Sequence, residues 1–170
     1  VLKHLGAELL HDDVGIDPDV LEHTARTIAY TEQAGAVVAR DADQMALSDL
    51  EYQEVIARGR GYSGTEYVDA MHRRTQLRNQ FVKLFQRADV LVTPTVAVTA
   101  FAAGELGTDS IDGRAVDRHL GWSPFSWPIN LAGAPAATIP CGFDRDGLPI
   151  GLQIVAPWLE EGRIFRVAAA

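Results

Sequence analysis

The sequence is short of several things, and each shortage narrows what the protein can be. It holds one cysteine, Cys141, which excludes an intrachain disulfide framework and fits a reducing compartment. Basic residues are outnumbered: 15 Lys+Arg against 23 Asp+Glu give a formal net charge of −8. Neutralising phosphates needs a basic footprint, so neither nucleic acid nor an anionic membrane surface is an expected partner. No apolar run approaches the roughly 18 residues of a membrane span, and no charged-then-apolar leader precedes the body. The missing leader and the single cysteine together point to the cytoplasm. The five histidines form neither a His-Glu-x-x-His pattern nor a Cys/His cluster, so no metal is expected. His11-Asp12-Asp13 reads as solvated charge.

What is present suits a folded core. Of 170 residues 47% are apolar and 22% charged, near the globular average and one domain's worth of chain. The ends read as cut helices. Val1-Leu2-Lys3-His4-Leu5-Gly6 resembles a last helical turn closing on glycine. Glu160-Glu161 opens a helix, with acids where the dipole favours them, and no stop signal follows. The expectation is a piece of a longer protein.

Composition changes near residue 89. One of the eight prolines lies before it and seven after. Residues 1–88 read as mainly helical. Asp17-Pro18-Asp19 supplies an N-cap, a proline at the first helical position and an acid in the first turn. Ser48-Asp49-Leu50-Glu51 and Ser63-Gly64-Thr65-Glu66 match the capping-box pattern. From the second box, Tyr67, Ala70, Met71, Leu77, Phe81, Leu84 and Phe85 recur at helical spacing, with Arg73, Arg74 and Lys83 largely off that stripe. Arg78 falls on the polar side and suits a surface or structural ion pair.

Residues 89–157 read as strands around an unusual insert. Asp89-Val90-Leu91-Val92-Thr93-Pro94-Thr95 predicts a short strand ended by proline. Ala136-Ala137-Thr138-Ile139-Pro140 and Pro149-Ile150-Gly151-Leu152-Gln153-Ile154-Val155 predict two more, joined as a hairpin through Asp144-Arg145-Asp146-Gly147. Residues 100–118 read as a Gly- and Asp-rich surface excursion. Residues 119–143 contain no Asp, Glu, Lys or Arg, yet hold Trp122, Phe125, Trp127 and four prolines. Prolines at that density forbid a continuous helix. An uncharged, aromatic, irregular segment predicts burial, with backbone groups satisfied by Ser123, Ser126, Asn130 or water. Cys141 within it reads as an inert buried thiol.

At this stretch the chain resembles the C-terminal part of the amidase signature family. The matching residues are the strand from Asp89 to Thr95, then Pro128-Ile129-Asn130-Leu131-Ala132-Gly133-Ala134-Pro135-Ala136, Ile139-Pro140-Cys141-Gly142, and the run from Gly147 to Val155. Upstream, Gly59, Ser63, Glu66-Tyr67, Ala70 and Arg78 match more weakly. The resemblance implies an α/β fold, a mixed sheet flanked by helices, of which residues 1–170 would form the C-terminal part of a single domain. Residues 1–88 would be its helical portion, 89–157 core strands with the buried Pro/Gly-rich segment, and 158–170 the start of a C-terminal helix.

It further implies an enzyme that hydrolyses carboxylic amides through a serine nucleophile, a second serine on a cis peptide bond and a lysine, without metal or organic cofactor. The family places that triad in its N-terminal half, beside a Gly- and Ser-rich oxyanion segment. Here the only lysines are Lys3 and Lys83, and the serines Ser48, Ser63, Ser110, Ser123 and Ser126 form no such run. No catalytic residue is therefore assigned in this chain, and the expected partners are a small-molecule amide and the N-terminal half of the same protein. A homodimer is compatible with the resemblance. Trp127, Asn130, Phe125 and Ser123 are the candidate substrate-binding residues on one wall of the acyl pocket. Each has a plainer alternative: core packing for the aromatics, and pinning of irregular backbone for Asn130.

One departure bears on substrate. In the family's glutamine-dependent amidotransferase branch an Asp, thought to hold the substrate's amino group, precedes the Pro-x-Asn-Leu-Ala-Gly run by about five residues. That position here is Ser123, which cannot pair with an ammonium as a carboxylate does. A general amidase is thus expected over a glutamyl-tRNA amidotransferase A-like subunit. The remaining alternative is a non-catalytic module that acts by binding.

Overall fold

The computed structural model describes residues 6–10, 15, 17–105 and 107–170. The helix end expected at residues 1–5 and the charge cluster at 11–13 lie outside them. The chain divides into two compact units, residues 17–76 and a second formed by 1–16 with 77–170.

The first unit is helical: α1 (Pro18–Ala36), α2 (Ala42–Ala46), α3 (Leu50–Arg60) and the first part of α4 (Gly64–Leu84). Asp17 caps α1 as expected, its side chain accepting from the backbone N–H groups of Asp19 and Val20. Ser63 and Glu66 form the expected reciprocal box: Glu66 accepts from the Ser63 N–H at 2.8 Å and Ser63 Oγ from the Glu66 N–H at 3.2 Å. The cap of α3 is Asp49, not Ser48. Its carboxylate accepts from the Tyr52 N–H at 2.7 Å, one residue on from the hydroxyl that the sequence pattern had favoured. A third box, Asp41 with Gln44, starts α2.

Val37, Ala34 and Ile56 form the core of this unit, with Met45 and Tyr52 against it. α1 and α3 approach closely at Gly59, where a Cβ would lie 2.0 Å from the Tyr30 carbonyl oxygen. The Arg58 guanidinium, meanwhile, lies 5.0 Å over the Tyr30 ring. Gly35, by contrast, has open space around its Cβ position. Gly59→Ala should therefore destabilise by about 1–3 kcal/mol through overpacking. Gly35→Ala should be neutral or stabilising by up to about 1 kcal/mol, because a helix favours Ala over Gly. Urea-denaturation midpoints of the two variants test this opposition of sign.

The second unit holds the remainder of α4, a three-stranded sheet and two further helices. β1 (Leu91–Pro94), β4 (Ala136–Phe143) and β5 (Pro149–Val155) pair in the order β1-β5-β4, antiparallel at both seams. A two-stranded hairpin, β2 (Ser110–Ile111) with β3 (Arg114–Ala115), interrupts the surface excursion. α5 (Trp127–Ala132) and α6 (Glu161–Ala168) complete the unit. α6 covers one sheet face: Ile164 packs with Ile154 and Ala156, and Val90, Ala137 and Ile139 join them. The start of α6 is tied to the approach to β1 by Arg163, which pairs with Asp89 at 2.5 Å and Glu160 at 2.6 Å.

The expected hairpin is present. Its turn is organised by Asp144, whose carboxylate accepts from the N–H groups of Leu148 at 2.8 Å and Asp146 at 2.9 Å. These bonds, the Leu148 N–H foremost and then the Thr99 side chain, hold the Asp144 carboxyl below its ordinary value. Such a group contributes stability above the unfolded-state pKa, about 4, and loses it as the pH falls through the lower folded-state value. Acidification below about pH 4 should therefore lower the exchange protection factors of the Leu148 and Asp146 amides. In Asp144→Asn, protection at both should be lower already at neutral pH and nearly independent of pH through the acid range. Hydrogen exchange measured against pH checks both.

Two burial expectations need correction. Cys141 is exposed, its Sγ 3.5 Å from the Ile150 carbonyl oxygen. β4 as a whole is largely exposed, Phe143 at 73%, because it is an outer strand of the sheet. The uncharged segment is buried where α5 sits, at Trp127, Pro128, Ile129 and Ala132.

Candidate functional site

Register places a polar row across the sheet face opposite α6. Thr93 pairs with Gln153, and Gln153 with Thr138, so the three side chains share a face by strand alternation. Thr95 lies beside them and donates from Oγ1 to Thr138 Oγ1 at 3.2 Å. Gly151 makes room for this: a Cβ there would stand 2.6 Å from Thr95 Oγ1 and 2.8 Å from Thr138 Cγ2.

The irregular segment ahead of α5 lies against this row. Gln153, 6% exposed, donates from Nε2 to Thr93 Oγ1 at 3.0 Å and to the Phe125 carbonyl at 2.8 Å. Ser126 Oγ donates to the Thr95 carbonyl at 2.6 Å. Farther along, the Leu120 carbonyl accepts from the Ser123 N–H at 3.0 Å, Ser123 Oγ at 3.1 Å and Trp127 Nε1 at 3.0 Å. Asp117 accepts from the N–H groups of His119 and Leu120, and Trp122 meets Phe101 edge-on at 5.4 Å. The backbone polar groups of a proline-rich stretch are thus satisfied locally, as burial of irregular chain demands.

α5 follows, with Pro128 in its first turn, where a missing N–H costs nothing. It stops at Gly133 in the left-handed region (φ +69°), whose N–H returns to Ile129 and Asn130. Arg78 supports that end. Its Nη1 donates to the Ala132 carbonyl at 3.1 Å while the guanidinium lies 4.1 Å over the Trp158 ring; Phe85 meets the same ring edge-on at 6.2 Å. Among the described residues Arg78 makes no ion pair, contrary to expectation. It caps a helix C-terminus, where a cation is favoured.

The four expected wall residues fall in different settings. Trp127 is buried at 8% with its N–H spent on Leu120, which is the setting of a core residue. Phe125 is half-buried, and its backbone carbonyl is the part that Gln153 holds. The Ser123 hydroxyl is directed onto the Leu120 carbonyl. Asn130 is exposed on α5, not buried among irregular backbone as the plainer alternative had it. Thr93, Thr95, Thr138 and Gln153 are the addition. Their common parity around the hairpin was readable, but only register shows that they form one row.

Ser123 and Ser126 donate to backbone carbonyls, and neither hydrogen-bonds a histidine, lysine or carboxylate among the described residues. Three or more His, Cys, Asp or Glu side chains placed to hold a metal are absent among the described residues. No helix described is long and apolar enough to cross a membrane.

Comparison with known proteins sets this arrangement in context. The pattern of the Amidase family matches residues 50–165. The chain belongs to the amidase family. The A subunit of glutamyl-tRNA(Gln) amidotransferase from Rippkaea orientalis is 46% identical over 110 residues, 65% of this chain and 22% of that protein. An amidase crystal structure superposes with TM-score 0.86 at 20% identity, covering 98% of this chain and 38% of that one. A bacterial aryl acylamidase of the amidase signature family gives TM-score 0.81 at 23% identity, covering 99% and 36%. The α/β amidase signature fold that the resemblance implied is thus present, and the chain spans about a fifth of the length of the curated relatives it matches. All of this places α5 and its support inside an amidase fold. Arg78→Ala should lower stability by about 1–2 kcal/mol, through loss of a charge-assisted bond and a cation–π contact. Arg78→Lys should recover less than half, because an ammonium does not stack flat. Denaturant titration of the three forms checks the order.

Proposed function

We propose that this chain supplies one wall of the acyl pocket of an amidase that hydrolyses carboxylic amides to an acid and ammonia or an amine. On this reading the serine nucleophile, the second serine and the lysine come from the part of the protein outside this sequence. The lysine must be neutral to take a proton through the second serine, which requires desolvation to lower its pKa. Backbone N–H groups in the same part would stabilise the charge developing on the carbonyl oxygen. The present chain would contribute shape and hydrogen bonds. Family membership supports the reaction class, and the hold of Gln153 and Ser126 on the segment ahead of α5 supports a wall role. The exposed surface of β4, apolar at Phe143, and of its neighbour β5 at Ile150, suits strands that more chain would cover.

The observation that carries the choice of a general amidase is Ser123. It stands where the amidotransferase branch has an Asp, and its hydroxyl donates to the Leu120 carbonyl, so no carboxylate there meets an ammonium. The second reading, an amidotransferase A-like subunit, rests on sequence identity of 44–46% with several such proteins over 108–110 residues.

The full-length protein decides between them. It should release ammonia from simple amides with no tRNA present, and the 170-residue segment alone should release none. Glutaminase activity coupled to misacylated tRNA, with no turnover of simple amides, would establish the second reading instead.

A further inference from the structure

The polar row also carries information about substrate, given the pocket-wall reading above. Gln153 Nε2 has two protons, and both are spent: one on the Phe125 carbonyl, the other on Thr93 Oγ1. Thr93 is thereby fixed as the acceptor of that bond. A hydroxyl has a single proton, and the Thr93 proton must leave in another direction. No described residue accepts it, and Thr93 is half-buried. Thr138 lies beyond Gln153 in the row and accepts from Thr95.

We propose that Thr93 is a specificity-determining hydrogen-bond donor for amides whose acyl portion carries a second acceptor oxygen, and that Gln153 is the residue that sets its polarity. The carboxamide of Gln153 cannot be exchanged for a carboxylate without reversing the bond. A glutamate at that position would accept from Thr93 and take the proton the substrate needs, while leaving the Phe125 carbonyl without its donor.

The test uses the full-length enzyme with two amides of similar shape, malonamide and isovaleramide, which differ in whether the acyl chain bears a carboxamide or an isopropyl group. The readout is the ratio of their kcat/KM values. Wild type should prefer malonamide. Thr93→Val, nearly isosteric, should lower the ratio about three- to ten-fold, the worth of one hydrogen bond. Its isovaleramide kcat/KM should fall less than its malonamide kcat/KM, because Gln153 loses its acceptor with either substrate but only malonamide also loses a bond of its own. Thr93→Ser should keep the wild-type ratio, and Gln153→Glu should lower it as Thr93→Val does. A wild-type ratio at or below one, a ratio unmoved by Thr93→Val, or a serine variant that fails to preserve it would overturn the proposal while leaving the amidase reading intact. An enzyme that hydrolyses neither amide, nor any other carboxylic amide, overturns the amidase reading and this inference with it.

Discussion

The strand-bearing unit depends on β5, and within β5 on the placement of one buried carboxamide. Both other strands of the sheet pair with β5, and its last residues, Ile154 and Val155, are fully buried. One face receives α6 through apolar packing, which is broad and tolerant of small shifts. The other face receives a chain segment with no regular hydrogen-bonding pattern of its own, where small shifts are not tolerated. Gln153 resolves that difference by bonding at once to β1 and to the Phe125 backbone. A buried amide left without partners is costly, so the same bonds that locate the segment also make any other location unfavourable.

How much of this was legible in the sequence differs between elements for physical reasons. Asp17 with Pro18, the Ser63 and Glu66 pair, and the turn around Asp144 are local devices whose partners lie within a few residues, and each appears as read. Ser48 failed as a cap because an equally competent Asp49 lies one residue on, and local chemistry does not separate such neighbours. α5 was missed because prolines count against helix, although Pro128 occupies a position in the first turn where the rule does not apply. The exposure of Cys141 and Asn130 was beyond local reasoning altogether. Burial is set by what lies across the sheet or over the helix, and composition only says that a segment could be covered.

The candidate site shows the same division. Aromatic residues in an uncharged segment drew attention to Trp127 and Phe125; the structure adds that Trp127 is buried with its N–H on Leu120 and that the Phe125 carbonyl is held by Gln153. The polar row of Thr93, Gln153 and Thr138 was invisible as a group, because its members are far apart along the chain and meet only through register. Ser123 was singled out by what it replaces, and the structure adds where its proton goes. A residue can therefore be found by a departure from a family pattern even when no local rule marks it.

That departure weighs differently from overall identity. Identity near 45% with the amidotransferase relatives is a sum over 108–110 aligned residues. It measures likeness averaged over a scaffold. Recognition of an ammonium is a local matter, since a surface carboxylate acts over a few ångströms and a hydroxyl bound to a backbone carbonyl cannot substitute for it. Where scaffold and local chemistry point to different substrates, the chemistry at the contact governs, because fold likeness constrains the position of a group and not its charge. On the proposed reading, the serine at 123 is therefore the residue that bears most directly on the choice between a free amide and a glutamine substrate.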